Sequence, residues 1–431
     1  MAIRRNRQRA RRALTPEDEG LAMLTGPDGI GFARAVLAGR GERMISSRLD
    51  QVDHEPGNFA TVLHSCQVAG EGSRRMELVG LTWRAAGLNS SDAAAELFHD
   101  ADREVAAWVY PDDPDLPGLA SATIPDAVRE LLVAQQLIPS TVDAAHIKLR
   151  MVSYRPRRRA VVRVAVHSTA RRWPTSVFFL KAFTAADSAP ALQRLEILAR
   201  AGLPVARLLA ATTDHLAVLA PVEGRPMARR LFDERPSVTG ERLVELLDAM
   251  PAEIAALPAR APWPEGVQHY ARLVAGQLPQ EAERAHQLAD DITDCVASAL
   301  PGDEATHGDF HEGQIYVAAH KVSGLLDVEA AGPGRRVDDL ACMIAHLRTV
   351  HSVDGSPGAD AGQIARVESL THGYLAAFDG RVDPADLRIR AAAVALSLAT
   401  GPFSEQDPQW PRHTSAALDA AQRLMREAAD V

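Results

Sequence analysis

Two stretches of this chain repeat one pattern at a spacing of one hundred residues, and any fold must accommodate both copies. Residues 48–84 read RLDQVDHEPGNFATVLHSCQVAGEGSRRMELVGLTWR, and residues 148–183 read KLRMVSYRPRRRAVVRVAVHSTARRWPTSVFFLKAF. His54-Glu55-Pro56 falls opposite Tyr154-Arg155-Pro156, and Leu78–Leu81 opposite Val177–Leu180. Each copy predicts a strand, a turn marked by proline, and two further strands rich in β-branched and aromatic residues. Each is followed by a segment of helical character and then by a related stretch, LPGLASAT (116–123) or LPVARLLAAT (203–212). Lys181 stands near the end of the third strand of the second copy, whereas Thr82 stands opposite it in the first. If the lysine carries chemistry, the first copy is a structural echo without it.

After about Val222 the pattern changes to apolar residues at three- and four-residue spacing, over 240–257, 267–299, 337–350, 362–378 and 385–400. One strand-like interruption, 306–329, lies within this helical half, and an amphipathic helix over 414–428 closes the chain. The expected order is therefore a basic, solvated arm (1–35), a cap domain (36–140), a sheet-rich lobe (141–222) and a helical lobe (223–431). A length of 431 residues suits two or three domains at about 150 residues each.

Composition narrows the function classes. Hydrophobic residues at 46% and charged residues at 24% describe a folded globular chain, and a net charge of −9 argues against a general nucleic-acid binder. Cys66, Cys295 and Cys342 show no redox or metal-ligand spacing, which suits a reduced, cytoplasmic compartment. The basic opening MAIRRNRQRARR is followed by no apolar core of the kind a secretory signal carries, and the longest uncharged apolar stretch, 391–403, is too short for a bilayer. No membrane partner is expected. Of 47 basic residues only Lys148, Lys181 and Lys321 are lysine, so a lysine at a chemically meaningful place stands out from the background.

The stretch THGDFHEGQIYVAAHKVSGLLDVEAAG (306–332) carries the chemistry. Ile315–Ala319 and Val322–Asp327 predict two short strands joined by a tight turn near His320 and Lys321. Pairing them about that turn sets Gln314 beside Asp327 at the open end, with Asp309 in the feeding loop. A carboxylate with an amide oxygen makes a hard-oxygen site of the kind that holds Mg²⁺ with substrate phosphates. A further carboxylate can accept the proton of an attacking hydroxyl, which completes the requirement for phosphoryl transfer.

These residues resemble the aminoglycoside phosphotransferase-like kinases, distant relatives of protein kinases. That family's catalytic loop reads His-Gly-Asp with Asn or Gln five residues after the Asp, matched by His307-Gly308-Asp309 and Gln314. Its metal-binding Asp follows a short apolar strand, as in Leu325-Leu326-Asp327, and an Asp-Leu-Ala opens its next helix, as in Asp339-Leu340-Ala341. Gln314 combined with Asp327-Val328-Glu329 looks most like the maltokinase and glucosamine-kinase branch, which carries an N-terminal cap. The resemblance implies an α+β, bilobal protein-kinase-like fold with a β-rich N-lobe, a helical C-lobe and an extra N-terminal α/β cap.

It also implies roles. Asp309 would be the catalytic base or hydroxyl-orienting residue, Asp327 and Gln314 the Mg²⁺ ligands, and Lys181 the contact to the ATP phosphates. Glu196, the only acidic residue in the predicted helix LQRLEILARAGLPV, would pair with that lysine. Arg157 in the turn RPRRR (155–159) would reach the phosphates, and the backbone around Ala220 and Val222 would meet adenine. His307 and Asp339 would brace the loop. His311, Glu312 and Glu329 would border the acceptor, while Asp338 would cap the next helix. Trp263 and Trp410 are candidates for sugar stacking, or for plain core. The expected activity is transfer of phosphate from ATP, with Mg²⁺, to a hydroxyl of a small polar molecule such as a sugar or amino sugar. Two alternatives stay open: an aminoglycoside antibiotic as acceptor, and a non-catalytic kinase-fold regulatory protein.

Overall fold

Both copies of the repeat fold as five-stranded antiparallel sheets with one strand order. In the first, β1 (Arg43–Glu55), β2 (Phe59–Ala69), β3 (Arg74–Arg84), β4 (Glu96–Asp100) and β5 (Arg103–Val109) lie in the order β1-β2-β3-β5-β4. In the second, β6 (Ile147–Arg155), β7 (Arg159–Val166), β8 (Ser176–Phe183), β9 (Leu208–Ala211) and β10 (Leu216–Leu219) lie in the order β6-β7-β8-β10-β9. The computed structural model describes residues 19–69, 74–100, 103–167, 176–233, 238–258, 261–297, 301–353 and 361–431. The chain divides into two units, the first ending at Val109 and the second spanning Tyr110–Val431.

The hundred-residue offset extends to strand register. His54 pairs with Ala60 and Asp53 with Thr61 in the first sheet; Tyr154 pairs with Ala160 and Ser153 with Val161 in the second. Thr61 then faces Thr82, as Val161 faces Lys181, so Thr82 and Lys181 occupy equivalent places. The two threonine hydroxyls hydrogen-bond to each other at 2.6 Å and are buried. The position that carries a cation in one sheet is a sealed hydroxyl pair in the other.

The connections differ after the third strand. β3 leads through a 3₁₀ turn (Ser90–Ala94) into strands, whereas β8 leads into the helix Ala185–Arg200. LPGLASAT contributes a helical turn, Leu119–Ala122, to the second unit, whereas LPVARLLAAT contributes β9. The units part at Val109 rather than near residue 140, because β5 pairs with β3 while the following residues attach to the second sheet. Tyr154 donates its hydroxyl to the buried Asp113 at 2.7 Å, and the Tyr110 and Tyr154 rings lie 5.1 Å apart.

Helices α1 (Glu19–Thr25) and α2 (Pro27–Gly39) occupy part of the stretch read as a basic arm; residues 1–18 of that arm lie outside the described residues. Pro27 opens α2 with a φ already suited to a helix, and Ala33, Val36 and Leu37 bury one stripe. The glycines that obscure this segment have a packing use: a Cβ on Gly20 would overlap the Trp83 indole.

The second unit opens with α3 (Leu119–Ala122) and α4 (Pro125–Ala134), and α5 (Ala185–Arg200) follows β8. Its helical part comprises α6 (Gly240–Asp248), α7 (Val267–Gln277), α8 (Ala282–Val296), α9 (Arg336–Val353), α10 (Ala361–Asp379), α11 (Pro384–Leu398), α12 (Gly401–Ser404) and α13 (Trp410–Ala429). The periodic run 267–299 is two helices because Pro279 cannot continue the first. The apolar run from Ala391 is the C-terminal half of α11, which packs against α9 and α13, and runs on into α12. No helix among the described residues is long and apolar enough to cross a membrane.

Small strands complete the helical part. β11 (Arg225–Pro226) pairs with β13 (Ile315–Ala318), which forms a hairpin with β14 (Lys321–Leu325); β12 (Glu304–Thr306) pairs with β15 (Gly332–Gly334). The fold is α+β, with a sheet-rich N-terminal region ahead of a helical region.

Candidate active site

Strand alternation sets the site. Lys181 faces Val161 and Ala217 across its two neighbours, so Arg159, Val161, Lys181 and Ala217 share one face of the second sheet. Helix α5 packs on that face through Ala191 and Leu192, against Phe183, Ala217 and Leu219. Lys181 is 5% exposed, and its Nζ donates to Asp327 Oδ1 at 2.8 Å and Glu329 Oε1 at 2.6 Å. Arg159 adds a second cation, with Nη2 at 3.2 Å from Asp327 Oδ2 and Nη1 at 3.9 Å from Glu329 Oε2.

Asp327 sits at φ +50°, ψ +48°, a left-handed conformation that an aspartate tolerates at a cost of order 1 kcal/mol. Burial raises its pKa, but Lys181, Arg159 and the Lys181 hydrogen bond outweigh that and hold the carboxyl well below the usual range. The carboxylate is ionised across the physiological range.

The expected pairing of Gln314 with Asp327 is corrected by one residue. The hairpin turns at Ala319 and His320, both with positive φ, and Ser323 bulges between Val322, opposite Val317, and Gly324, opposite Tyr316. Ile315 therefore faces Leu325, and Leu326 N–H donates to Gln314 O at 2.9 Å. Asp327 is one position further on, aimed at Lys181, while the Gln314 amide lies 3.0 Å from His311 Nε2.

The loop carrying Asp309 is held by buried groups. Asp339, 1% exposed, accepts the N–H groups of His307 and Gly308, each at 2.8 Å. His307 Nε2 donates to Leu326 O at 2.9 Å and its Nδ1 accepts Asp309 N–H at 3.3 Å, which fixes one ring tautomer. Phe310 is fully buried, anchoring the loop beside the partly exposed Asp309. Gly308 has φ +79°, and a Cβ there would meet the Ala330 carbonyl oxygen at 2.5 Å. His307 and Asp339 thus tie the backbone of residues 307–309 to Leu326 and α9.

Several expected contacts lie elsewhere. Glu196 is exposed on α5, and the carboxylate beside Lys181 is Glu329. What α5 presents to the site is Arg194, which donates to Ala331 O at 2.6 Å, Pro258 O at 3.0 Å and Pro190 O at 3.1 Å. It ties the helix to the turn Val328–Ala330 that carries Glu329. Arg157 is buried away from the site: its backbone N–H donates to Asp113 and its Nε to Asp115 Oδ2 at 2.7 Å. Arg159 replaces it. The signal was available, because Arg159 lies two residues from the neighbour of Lys181 on the same face.

Ala220 donates its N–H to Arg207 O at 2.9 Å, since pairing with the neighbouring strand runs one residue past β10, so that N–H is not offered to a base. Val222 packs against Gly324 of the hairpin. Asp338, within the first turn of α9, takes a salt bridge from Arg390 at 2.7 Å instead of capping the helix. Trp263 and Trp410 pair with Tyr270 and Phe403, with Trp263 against the core.

His311 and Glu312 fall beside Asp309, joined by His346 from α9. The His311 and His346 rings stack at 3.9 Å and 12°. Burial lowers the His346 pKa to about 4, the nearby Glu312 offsetting only part, so it is neutral at pH 7.

A sequence-family profile described as the phosphotransferase enzyme family matches residues 153–387, more than half of the chain. The chain belongs to that family. It is a small-molecule phosphotransferase, and the matched span holds Lys181, Asp309, Gln314, Asp327 and Asp339. Comparison with curated proteins yields no match. Among solved structures it is similar to a choline/ethanolamine kinase family protein from Mesorhizobium loti, at 16% identity over 71% of this chain and 98% of that one, TM-score 0.49. It is also similar to an aminoglycoside phosphotransferase in complex with ADP and hygromycin B, at 12% identity over 70% and 98%, TM-score 0.47. A choline kinase from Cryptosporidium parvum gives 10% identity over 71% and 96%, TM-score 0.49.

Proposed function

We propose that this phosphotransferase moves the terminal phosphate of ATP to a hydroxyl of a small polar molecule, a sugar or amino sugar, with Mg²⁺. The observation that carries the reading is the convergence of Lys181 and Arg159 on Asp327 and Glu329, in one unit with a braced Asp309 loop. The donor set fits Mg²⁺: Asp327, Glu329 and the Gln314 amide are hard oxygen ligands, and Glu329 Oε2 is buried with no hydrogen-bond partner. Asp327 with Gln314 or Glu329 would hold the ion. What a bound Mg²⁺ supplies there is neutralisation of the phosphate oxygens.

The chain's own residues do the rest. Lys181 and Arg159 are the cations available to phosphate oxygens from the sheet. Asp309 accepts the proton of the acceptor hydroxyl and aligns it for in-line attack. Asp339 and Phe310 hold that carboxylate in place, so much of the rate gain is positioning and preset charge. Glu312 and His311 supply acceptor-facing polarity beside Asp309. The sugar assignment is supported by Gln314 together with Asp327-Val328-Glu329, the combination shared with the maltokinase and glucosamine-kinase branch. The three cysteines, none of them in a disulfide, suit a reducing, cytoplasmic setting.

A coupled ADP-release screen over sugars, amino sugars, aminoglycosides and choline tests the reading. Sugar- or amino-sugar-dependent ADP release supports it. Release only with an aminoglycoside or choline moves the acceptor class, and tight Mg²⁺-ATP binding without release from any acceptor points to a regulatory kinase-fold protein.

A further inference from the structure

Helix α5 gives Lys181 no acid: Asp187 takes the Thr184 hydroxyl at the helix start, and Glu196 is exposed. What α5 turns inward is Arg194, 7% exposed. Its planar fork reaches three backbone carbonyls: Ala331 O from Nε, Pro258 O from Nη2, and Pro190 O, one turn back in α5, from Nη1. Among the described residues none of its hydrogen bonds goes to a carboxylate. Burial draws its pKa down, and the nearby Glu329 carboxylate offsets part of this. A cation buried on carbonyls alone is costly, and an apolar side chain would pack α5 on the core at less cost. Leu195 and Leu198 already do so, in one buried cluster with Val328 and Ala331.

The turn that Arg194 holds serves both halves of the site. It follows Asp327, carries Glu329 and ends at Ala331, whose carbonyl Arg194 takes. Glu329 Oε1 accepts Lys181 Nζ at 2.6 Å. Ala330 stands against Gly308 in the Asp309 loop, with no room for a Cβ between them. Arg194 thus acts on Glu329 twice: it fixes the backbone two residues on, and its charge attracts the carboxylate. A lysine could not replace it, because one ammonium on a flexible stem does not span three carbonyls held in fixed directions.

We propose that Arg194 is a positioning residue for phosphotransfer, setting the 328–331 turn so that Glu329 holds Lys181 in place for the nucleotide phosphates. The hold on Lys181 stands on the geometry alone; its use for phosphates rests on the function proposed above.

The test is a double-mutant cycle of Arg194→Met and Glu329→Gln in the full chain, with two readouts. The first needs no nucleotide: acylation of Lys181 by an amine-reactive ester, read by mass spectrometry against the exposed Lys148 and Lys321 in the same sample. The second is Mg²⁺-ATP affinity by calorimetry. In the wild-type background Arg194→Met should speed Lys181 labelling and weaken Mg²⁺-ATP binding by about fivefold each, within the range of couplings between neighbouring groups. In the Glu329→Gln background both changes should stay within about twofold. Should Arg194→Met not fold, Arg194→Lys takes its place with the same expectation. Equal factors in the two backgrounds would make Arg194 a general prop of the fold and overturn the proposal, as would unchanged labelling in the wild-type background. Faster labelling with unchanged Mg²⁺-ATP affinity supports the hold and overturns its use for phosphates. A wild type that binds Mg²⁺-ATP but releases no ADP with any acceptor counts against phosphotransfer, while the labelling still decides the hold.

Discussion

Replacing Glu329 with glutamine separates two accounts of how Lys181 is held. Lys181 Nζ has two carboxylate partners, Asp327 at 2.8 Å and Glu329 at 2.6 Å. Removing the charge on one weakens a charge-assisted hydrogen bond, an effect of about 1.5–3 kcal/mol when the partner is buried. The Glu329 side chain is 28% exposed and Asp327 remains, so the lower part of that range, about 1.5–2 kcal/mol, applies. Transferred to the reaction, this lowers kcat/KM for ATP by about 10- to 30-fold. Glu196→Gln, on an exposed face of α5, should change it by about twofold at most, as surface substitutions stay near 0.5 kcal/mol. Steady-state ADP release against ATP concentration reads both variants. A Glu329→Gln enzyme within twofold of wild type, beside a strongly impaired Glu196→Gln enzyme, would refute the argument and return the pairing to the helix.

Other substitutions follow from the same geometry. Arg159→Leu removes a cation from Asp327 and should raise KM for ATP by about fivefold, near 1 kcal/mol, with the urea midpoint little changed. Arg157→Leu should do the reverse: it strips a buried partner from Asp115, lowering stability by about 1.5–3 kcal/mol in urea unfolding while KM holds. Gly308→Ala must adopt a left-handed conformation costing about 1–2 kcal/mol and meet the Ala330 carbonyl, so both unfolding midpoint and kcat should fall.

Much of the fold was legible because its signals are local and periodic. The two meanders announced themselves through alternation and a shared proline turn, and the offset carried through to the pairing of Thr82 and Lys181 with their neighbours. The His-Gly-Asp loop and Asp327 stood out because they match the motif order of the phosphotransferase family they resemble. What escaped depended on backbone detail or on side chains from distant segments. The Ser323 bulge shifts the hairpin by one residue, and no composition signal marks it. Glu196 attracted attention as the acid on the right helix, but helical phase turns it to solvent, while Arg194 and the Val328–Ala330 turn bring Glu329 to the lysine. Arg157 and Arg159 differ only in which face of a turn and strand they occupy. His346 lies 35 residues beyond His311, in a helix whose place beside the loop is a property of the tertiary fold.

The central claim is that Asp309 prepares an acceptor hydroxyl for attack on a phosphate held elsewhere in the site. It is tested most directly by Asp309→Asn, measured for turnover with the best acceptor and for Mg²⁺-ATP affinity by calorimetry. The account predicts turnover reduced by about 100-fold or more, the usual worth of a positioned acid–base group, with nucleotide affinity within a few-fold of wild type. Turnover close to wild type would contradict it.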